Sequence, residues 1–247
     1  MEPVLYAPPE LWQEDQVTLA ADESHHLVTV LRGRIGELVI VADGEGGAGR
    51  GEIVSLRRSG CIIRLIQPLR NFGEPTVRLT LAAGLSTGYK FDSTVDKGTQ
   101  LGVTRFVPLI TAKATVRLPD SKRARTRQRR LEKVALAAMK QSRRSVLPQI
   151  SAIISLERFL TEVDSDDVKL IFDAGASLPG IDAVAWPEAS KRFTVLVGPE
   201  SGFSSAEVAA AREVGFVAVS LGRRILRAET AGPVICALLM NRLGELS

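Results

Sequence analysis

Two short loops hold the residues of this chain best suited to chemistry. The first, Gly198-Pro199-Glu200-Ser201-Gly202, follows the β-branched apolar run Phe193–Val197. The second opens with Leu221-Gly222 and runs on through Arg223-Arg224-Ile225-Leu226-Arg227-Ala228-Glu229-Thr230. Glycine and proline let the first loop turn sharply and bring its backbone against a ligand with no Cβ in the way. Its spacing is not the G-x-G-x-x-G of a dinucleotide loop, and no Lys-Ser or Lys-Thr pair closes it as in a P-loop. A carboxylate at Glu200 would repel a polyphosphate and suits a ligand with cationic or hydroxyl groups. Taken alone, this loop reads equally as an αβ turn whose glycines serve packing.

The elements that must position these loops follow from the pattern around them. Phe193–Val197 is short, β-branched and apolar, as a strand buried on both faces requires. Ser204 and Glu207 form a capping box that starts a helix, and Gly215 is placed to stop it. The result is a strand–loop–helix unit of the kind that binds a nucleotide-like ligand at the strand's carboxyl end. Upstream, Val77–Ala83 reads as a strand, Phe91–Leu101 as a helix closed by Gly102, and Val103–Ile110 as a strand. A basic helix over 121–144 and a strand at Lys169–Phe172 continue the cadence. Alternating strands and helices predict an α/β fold with a mostly parallel sheet flanked by helices.

Residues 1 to about 67 differ. Leu38–Val41, Gly51–Val54 and Cys61–Ile66 are short strands separated by turns at Asp43-Gly44, Gly46-Gly47 and Ser59-Gly60, as in a small barrel. Ser24–Arg32 forms a short helix before them, in which His25 and His26 are expected to be half-buried structural residues. Pro68–Thr76, with two prolines and a glycine, is the expected linker. Two domains are thus expected, 1–72 and 73–247.

The 247 residues suffice for a sizeable core, and the composition, 45% hydrophobic and 24% charged, is that of a globular protein. No apolar run has the length of a membrane span, and the first residues have neither a basic nor an apolar leader segment, so the expected location is cytoplasmic. Cys61 and Cys236 are expected to be buried reduced thiols, and with only two histidines no metal site is expected. The net charge of +4 conceals an asymmetry. Residues 113–144 hold twelve Lys/Arg against Asp120 and Glu132, a local +10, so the remainder sums to −6. Like charges repel along a helix with little to relieve them, and a nucleic acid is the simplest partner.

The two loops together are more specific than either. G-P-E-x-G-F-S followed by L-G-x-R-I-L-R-x-E-T-A resembles the 16S rRNA (uracil-N3)-methyltransferases of the RsmE type, in the SPOUT superfamily. The resemblance covers nearly the whole chain. It implies a C-terminal domain with a deep trefoil knot that binds S-adenosylmethionine, and an N-terminal PUA-like β-barrel domain that grips RNA, in keeping with the H-x-x-x-V-L-R…G-E…D-G arrangement from His26 to Gly44. It also implies a homodimer acting on small-subunit ribosomal RNA, free or within the 30S subunit. The sequence departs from the family's pattern at Gly98 and Gln100, at Lys140 before Gln141-Ser142, and at Ser201, where glycine is usual.

By this resemblance Gly198, Pro199, Glu200, Ser201, Gly202, Leu221, Gly222, Ile225, Leu226 and Thr230 are the cofactor-binding residues, with Leu221, Ile225 and Leu226 as apolar walls. Thr230 suits a helix cap equally well, and Pro233 is expected in the first turn of that last helix. Removing the N3 proton of uracil spreads charge onto its carbonyl oxygens, and a cation aimed there stabilises it. Arg227 and Arg223 are the candidates for that role, while Glu229 reads as a helix-N-terminal carboxylate. Arg32, Arg34, Arg123, Arg127, Arg130, Arg143 and Arg144 are the candidate RNA contacts, since arginine pairs bidentately with phosphate. Two alternatives stand beside this reading. A ribose 2′-O-methyltransferase of the same superfamily would show N-x-G-x-x-x-R where this chain has Ala83–Lys90. A catalytically silent RNA-binding assembly factor would bind no S-adenosylmethionine.

Overall fold

A computed structural model describes residues 1–114, 120–173 and 178–246. Arg117 of the basic run lies outside the described residues. The chain forms two compact units, one of residues 1–74 and 136–147, the other of 75–135 and 148 onward.

The first unit is built on a five-stranded sheet. Its strands are β1 (Val4–Tyr6) and β2 (Gln16–Thr18), then, after helix α1 (Ala21–Thr29), β3 (Leu38–Ala42), β4 (Gly47–Ser55) and β5 (Ile62–Arg70). They lie in the order β1-β3-β4-β5-β2, mostly antiparallel with β1 parallel to β3, and the sheet curls into a half-barrel. Alternate residues Val39, Val41, Ile53, Cys61 and Ile63 point to one core with Leu5, Val17 and Leu27. β5 runs on through Pro68 to Arg70, where a linker was expected. β2 pairs only with Ile62–Arg64, so beyond that point β5 is an edge on that side and tolerates a proline. His25 is exposed rather than half-buried, and His26 is half-buried.

In the second unit β6 (Arg78–Gly84), helix α2 (Lys90–Gln100), β7 (Arg105–Ile110) and the basic helix α3 (Ser121–Gln141) follow one another. β8 (Gln149–Ile150), β9 (Ile154–Ser155), α4 (Leu156–Glu162), β10 (Val168–Phe172), β11 (Arg192–Val197), α5 (Ser205–Glu213), β12 (Val217–Val219) and α6 (Ala228–Arg242) complete it. The sheet is parallel throughout, in the order β12-β10-β11-β6-β7-β8, with β9 also on β7. Its strands are near-continuous apolar runs because both faces are covered. Pro108, which has no N–H to give, sits opposite the break between β8 and β9, where no strand waits for that donor.

Helix α3 buries Leu131, Ala135, Ala138 and Met139, a stripe at i, i+4, i+7 and i+8, while Ala137 is exposed. It stops at Gln141, three residues before the expected end, and Arg143 adopts a positive φ of 61°. Pro233 is the sixth residue of α6 rather than part of its first turn, so it removes an i→i−4 bond from the helix. Cys61 and Cys236 are free and buried, and burial pushes the Cys236 thiol up to about 12. No described helix is long and apolar enough to cross a membrane.

Candidate functional site

The site lies where four neighbouring parallel strands end. β6 runs into Leu85, β10 into Asp173, β11 into the loop Gly198–Phe203, and β12 into the loop Ser220–Arg227. Crevices at the carboxyl ends of such strands are where open α/β sheets take their ligands. At Gly84 a side chain is impossible, since a Cβ there would come within 2.5 Å of Pro199. The end of β6 is thereby pressed against the first glycine loop. Gly222 turns the second loop with φ of 94°, a conformation L side chains rarely adopt.

Specific hydrogen bonds fix the first loop. The Gly202 amide donates to the Pro199 carbonyl at 2.9 Å. Ser201 Oγ donates to the Lys113 carbonyl at 2.7 Å, and Lys113 Nζ donates to the Phe203 carbonyl at 2.9 Å. The expected capping box is present. The Glu207 amide donates to Ser204 Oγ, and Glu207 Oε2 accepts from the Ser204 amide. Sequence reasoning missed the second task of Glu207, whose Oε1 accepts from the Ala112 amide at 2.7 Å. In the second loop the Gly222 amide donates to Ser220 Oγ at 3.1 Å.

Glu200 meets Lys90 Nζ at 2.6 Å. Burial pushes the Glu200 carboxyl up, but the hydrogen bonds from Lys90, its own amide and Ser86, with the Lys90 charge, hold it below the usual carboxylate range. It is an anion near neutral pH, as the ligand argument requires.

The two loops enclose one cavity of about 420 Å³. Gly198, Pro199, Glu200, Ser201, Gly202, Leu221, Gly222, Arg223, Ile225 and Leu226 all line it. Thr230 does not. It is exposed, its side chain caps nothing, and Arg227 is the N-cap of α6. Arg227 lies just outside the lining, exposed and, among the described residues, without an ion pair. The lining also includes Lys113, Phe172, Asp173, Ser220, Ala228 and Ala231, which sequence reasoning did not single out. Asp173 was within reach, because it immediately follows an expected strand at its carboxyl end.

Residues 73–240 match the RNA methyltransferase domain family, and residues 19–66 match the RNA methyltransferase PUA domain. Ribosomal RNA small subunit methyltransferase E of Bacillus subtilis (strain 168) is 30% identical over 220 residues, 87% of this chain and 85% of that protein. The chain belongs to the ribosomal RNA small subunit methyltransferase E family. Its likeness to this family extends over both units. The crystal structure of the Neisseria gonorrhoeae ribosomal RNA small subunit methyltransferase E bound to S-adenosyl methionine superposes with a TM-score of 0.88 at 30% identity, covering 98% of each chain. The Legionella pneumophila putative methyltransferase Lpg2936, in complex with the same cofactor, gives 0.87 at 25% identity, again with 98% of each chain covered.

Against this family background the candidate RNA contacts divide. Arg32 and Arg34 are exposed on the first unit. Arg123, Arg127 and Arg130 line an open pocket of about 800 Å³ in the second unit with Gly88, Tyr89, Asp120, Lys122 and Thr126. Burial, and then the Arg130 charge, push the Arg127 guanidinium down from its ordinary value, with Asp92 opposing. Arg144 is a correction. It is 2% exposed and grips Glu74 with Nε and Nη2, the latter at 2.7 Å, while Glu74 Oε1 also accepts the Ser145 and Val146 amides. Arg143, half-exposed, donates to the Glu2 carbonyl at 2.6 Å and stacks over Phe72. The Arg144 guanidinium is an internal tie.

Proposed function

We propose that this chain transfers a methyl group from S-adenosylmethionine to N3 of a uridine in 16S ribosomal RNA. The observation that carries this reading is the convergence of both glycine loops on one cavity, in a chain whose relative is solved with that cofactor bound.

The residues fit such a ligand. A cavity of about 420 Å³ lies within the range of sites for ligands of this size. Glu200 and Asp173 offer negative charge to a sulfonium and an ammonium, and Leu221, Ile225 and Leu226 offer an apolar wall to a flat base. When bound, S-adenosylmethionine supplies an electrophilic methyl group, and no metal need assist. The work of the protein is to hold the uracil in line and keep water away. Arg223 on the cavity wall and Arg227 beside it stabilise the charge that grows on the uracil oxygens as the N3 proton leaves. Arg123, Arg127 and Arg130, with Arg32 and Arg34 on the first unit, hold phosphates and set the position of the strand without reading its sequence. The family resemblance extends to a trefoil knot at the end of the chain and to a cytoplasmic homodimer. Ile225, on the cavity lining yet 89% exposed, supports the latter as an apolar side chain that a second subunit would cover.

Ribonucleoside mass spectrometry of small-subunit rRNA from cells with and without the gene tests this proposal. The expected result is loss of 3-methyluridine on deletion and its return with the wild-type chain but not with Arg227→Ala. Unchanged 3-methyluridine would sink the base assignment. Isothermal titration with S-adenosylmethionine would then separate another methyltransferase from a silent RNA binder.

A further inference from the structure

The loop between β6 and α2 has two sides. On one, Lys90 and Ser86 hold Glu200 at the cavity between the glycine loops. On the other, the Ser86 carbonyl accepts from Arg127 Nη2 at 2.9 Å, and Gly88 and Tyr89 form the wall of the open basic pocket. Cavity and pocket are therefore separated by the thickness of this one loop.

Tyr89 is the unusual residue there. A large aromatic ring is 74% exposed, which a folded chain gains nothing by arranging for itself. The Arg130 guanidinium lies over the ring, 4.8 Å from its centroid, and is held there by Asp92 at 2.6 Å. One face of the ring is thus backed by a fixed cation and the other is open. Lys122, Arg123 and Arg127 share the pocket, against Asp120 alone among its lining residues. Asp120 already accepts from the Arg123 amide at 2.9 Å at the start of α3. Arg127 Nε has no hydrogen-bond partner among the described residues. An open aromatic face bordered by cations is how proteins hold one unpaired nucleotide, the base stacked and the phosphate on the charges.

We propose that this pocket holds the nucleotide next to the target uridine, unpaired, with its base stacked on Tyr89 and its phosphate against Lys122, Arg123 and Arg127. This rests on the methyltransferase reading and adds that the strand must be single at two successive positions. With the neighbour anchored one loop away, the target base can turn into the cavity while its strand stays fixed.

The test is fluorescence anisotropy with a labelled single-stranded oligouridylate and with a blunt RNA duplex, on wild type, Tyr89→Ala, Tyr89→Phe and Arg123→Ala, with titration of S-adenosylmethionine as control. Tyr89→Ala is expected to weaken single-strand binding about tenfold, leaving duplex binding and cofactor affinity unchanged, while Tyr89→Phe binds as wild type. Arg123→Ala is expected to lower the slope of log affinity against log salt by about one. Single-strand binding by Tyr89→Ala equal to wild type would overturn the proposal, as would an equal loss on the duplex or in Tyr89→Phe. These are binding readouts, so an inactive wild-type protein would strike the methyltransferase reading and leave this result legible by itself.

Discussion

The basic run of this chain has two ends with opposite fates. Arg123, Arg127 and Arg130, in the first half of α3, line an open pocket, and among the described residues Arg123 is paired with the exposed Asp120 alone. Arg143 and Arg144, just past the last turn, are tied into the first unit through Glu2, Phe72 and Glu74. The residue type and the local charge density are alike at both ends. Desolvation separates Arg144 from Arg123: Arg144 is 2% exposed and its charge needs a partner inside the fold, whereas Arg123 is exposed and keeps its water until a ligand replaces it.

Removing an arginine from each end separates the two roles. The largest effect is expected for Arg144→Ala, which strands a Glu74 that is itself buried. A loss of about 3 to 5 kcal/mol in urea unfolding is expected. Loss of RNA affinity at unchanged stability would show that the interior pair is not what holds this end. Arg123→Ala should do the reverse, with stability within about 0.5 kcal/mol of wild type and weaker RNA binding. The Lys90–Glu200 pair is the intermediate case, with both side chains part-exposed. The folded Glu200 lies below its ordinary value of 4.5. Its contribution to stability is therefore complete above that value and disappears as pH falls through the folded one. Thermal melts of wild type and Glu200→Gln should differ by a small constant amount near neutral pH and converge in acid. A gap that widens in acid would contradict the assignment.

The same contrast explains what the sequence disclosed. β6, β7, β10 and β11 were legible because strands covered on both faces must be continuous apolar runs. The capping box and the stop at Gly215 were legible because the interactions are local. The two glycine loops were legible as a pair, and the structure lines one cavity with them. Strands of two or three residues, such as β1, β2, β8 and β9, carry too few side chains for a period to show. Pro68 and Pro233 misled for another reason. Proline is disfavoured where its missing N–H would cost a hydrogen bond, and only the tertiary structure shows that β5 is an edge at Pro68 or that α6 continues past Pro233. Arg144 could not be distinguished from its basic neighbours because burial is not written in a charge. Tyr89 was passed over because a lone tyrosine has no pattern.

Three hydrogen bonds that shape the first glycine loop, Ser201 to Lys113, Lys113 to Phe203 and Ala112 to Glu207, span 88, 90 and 95 residues of chain. Closures of that length come late and slowly in folding, since chain entropy must be overcome before the contact rewards it. During synthesis Ala112 and Lys113 emerge long before their partners exist. The loop therefore takes its shape only when the last quarter of the chain has been made and docked, so under the cofactor role proposed for this loop, capture of the methyl donor would itself signal that folding is complete.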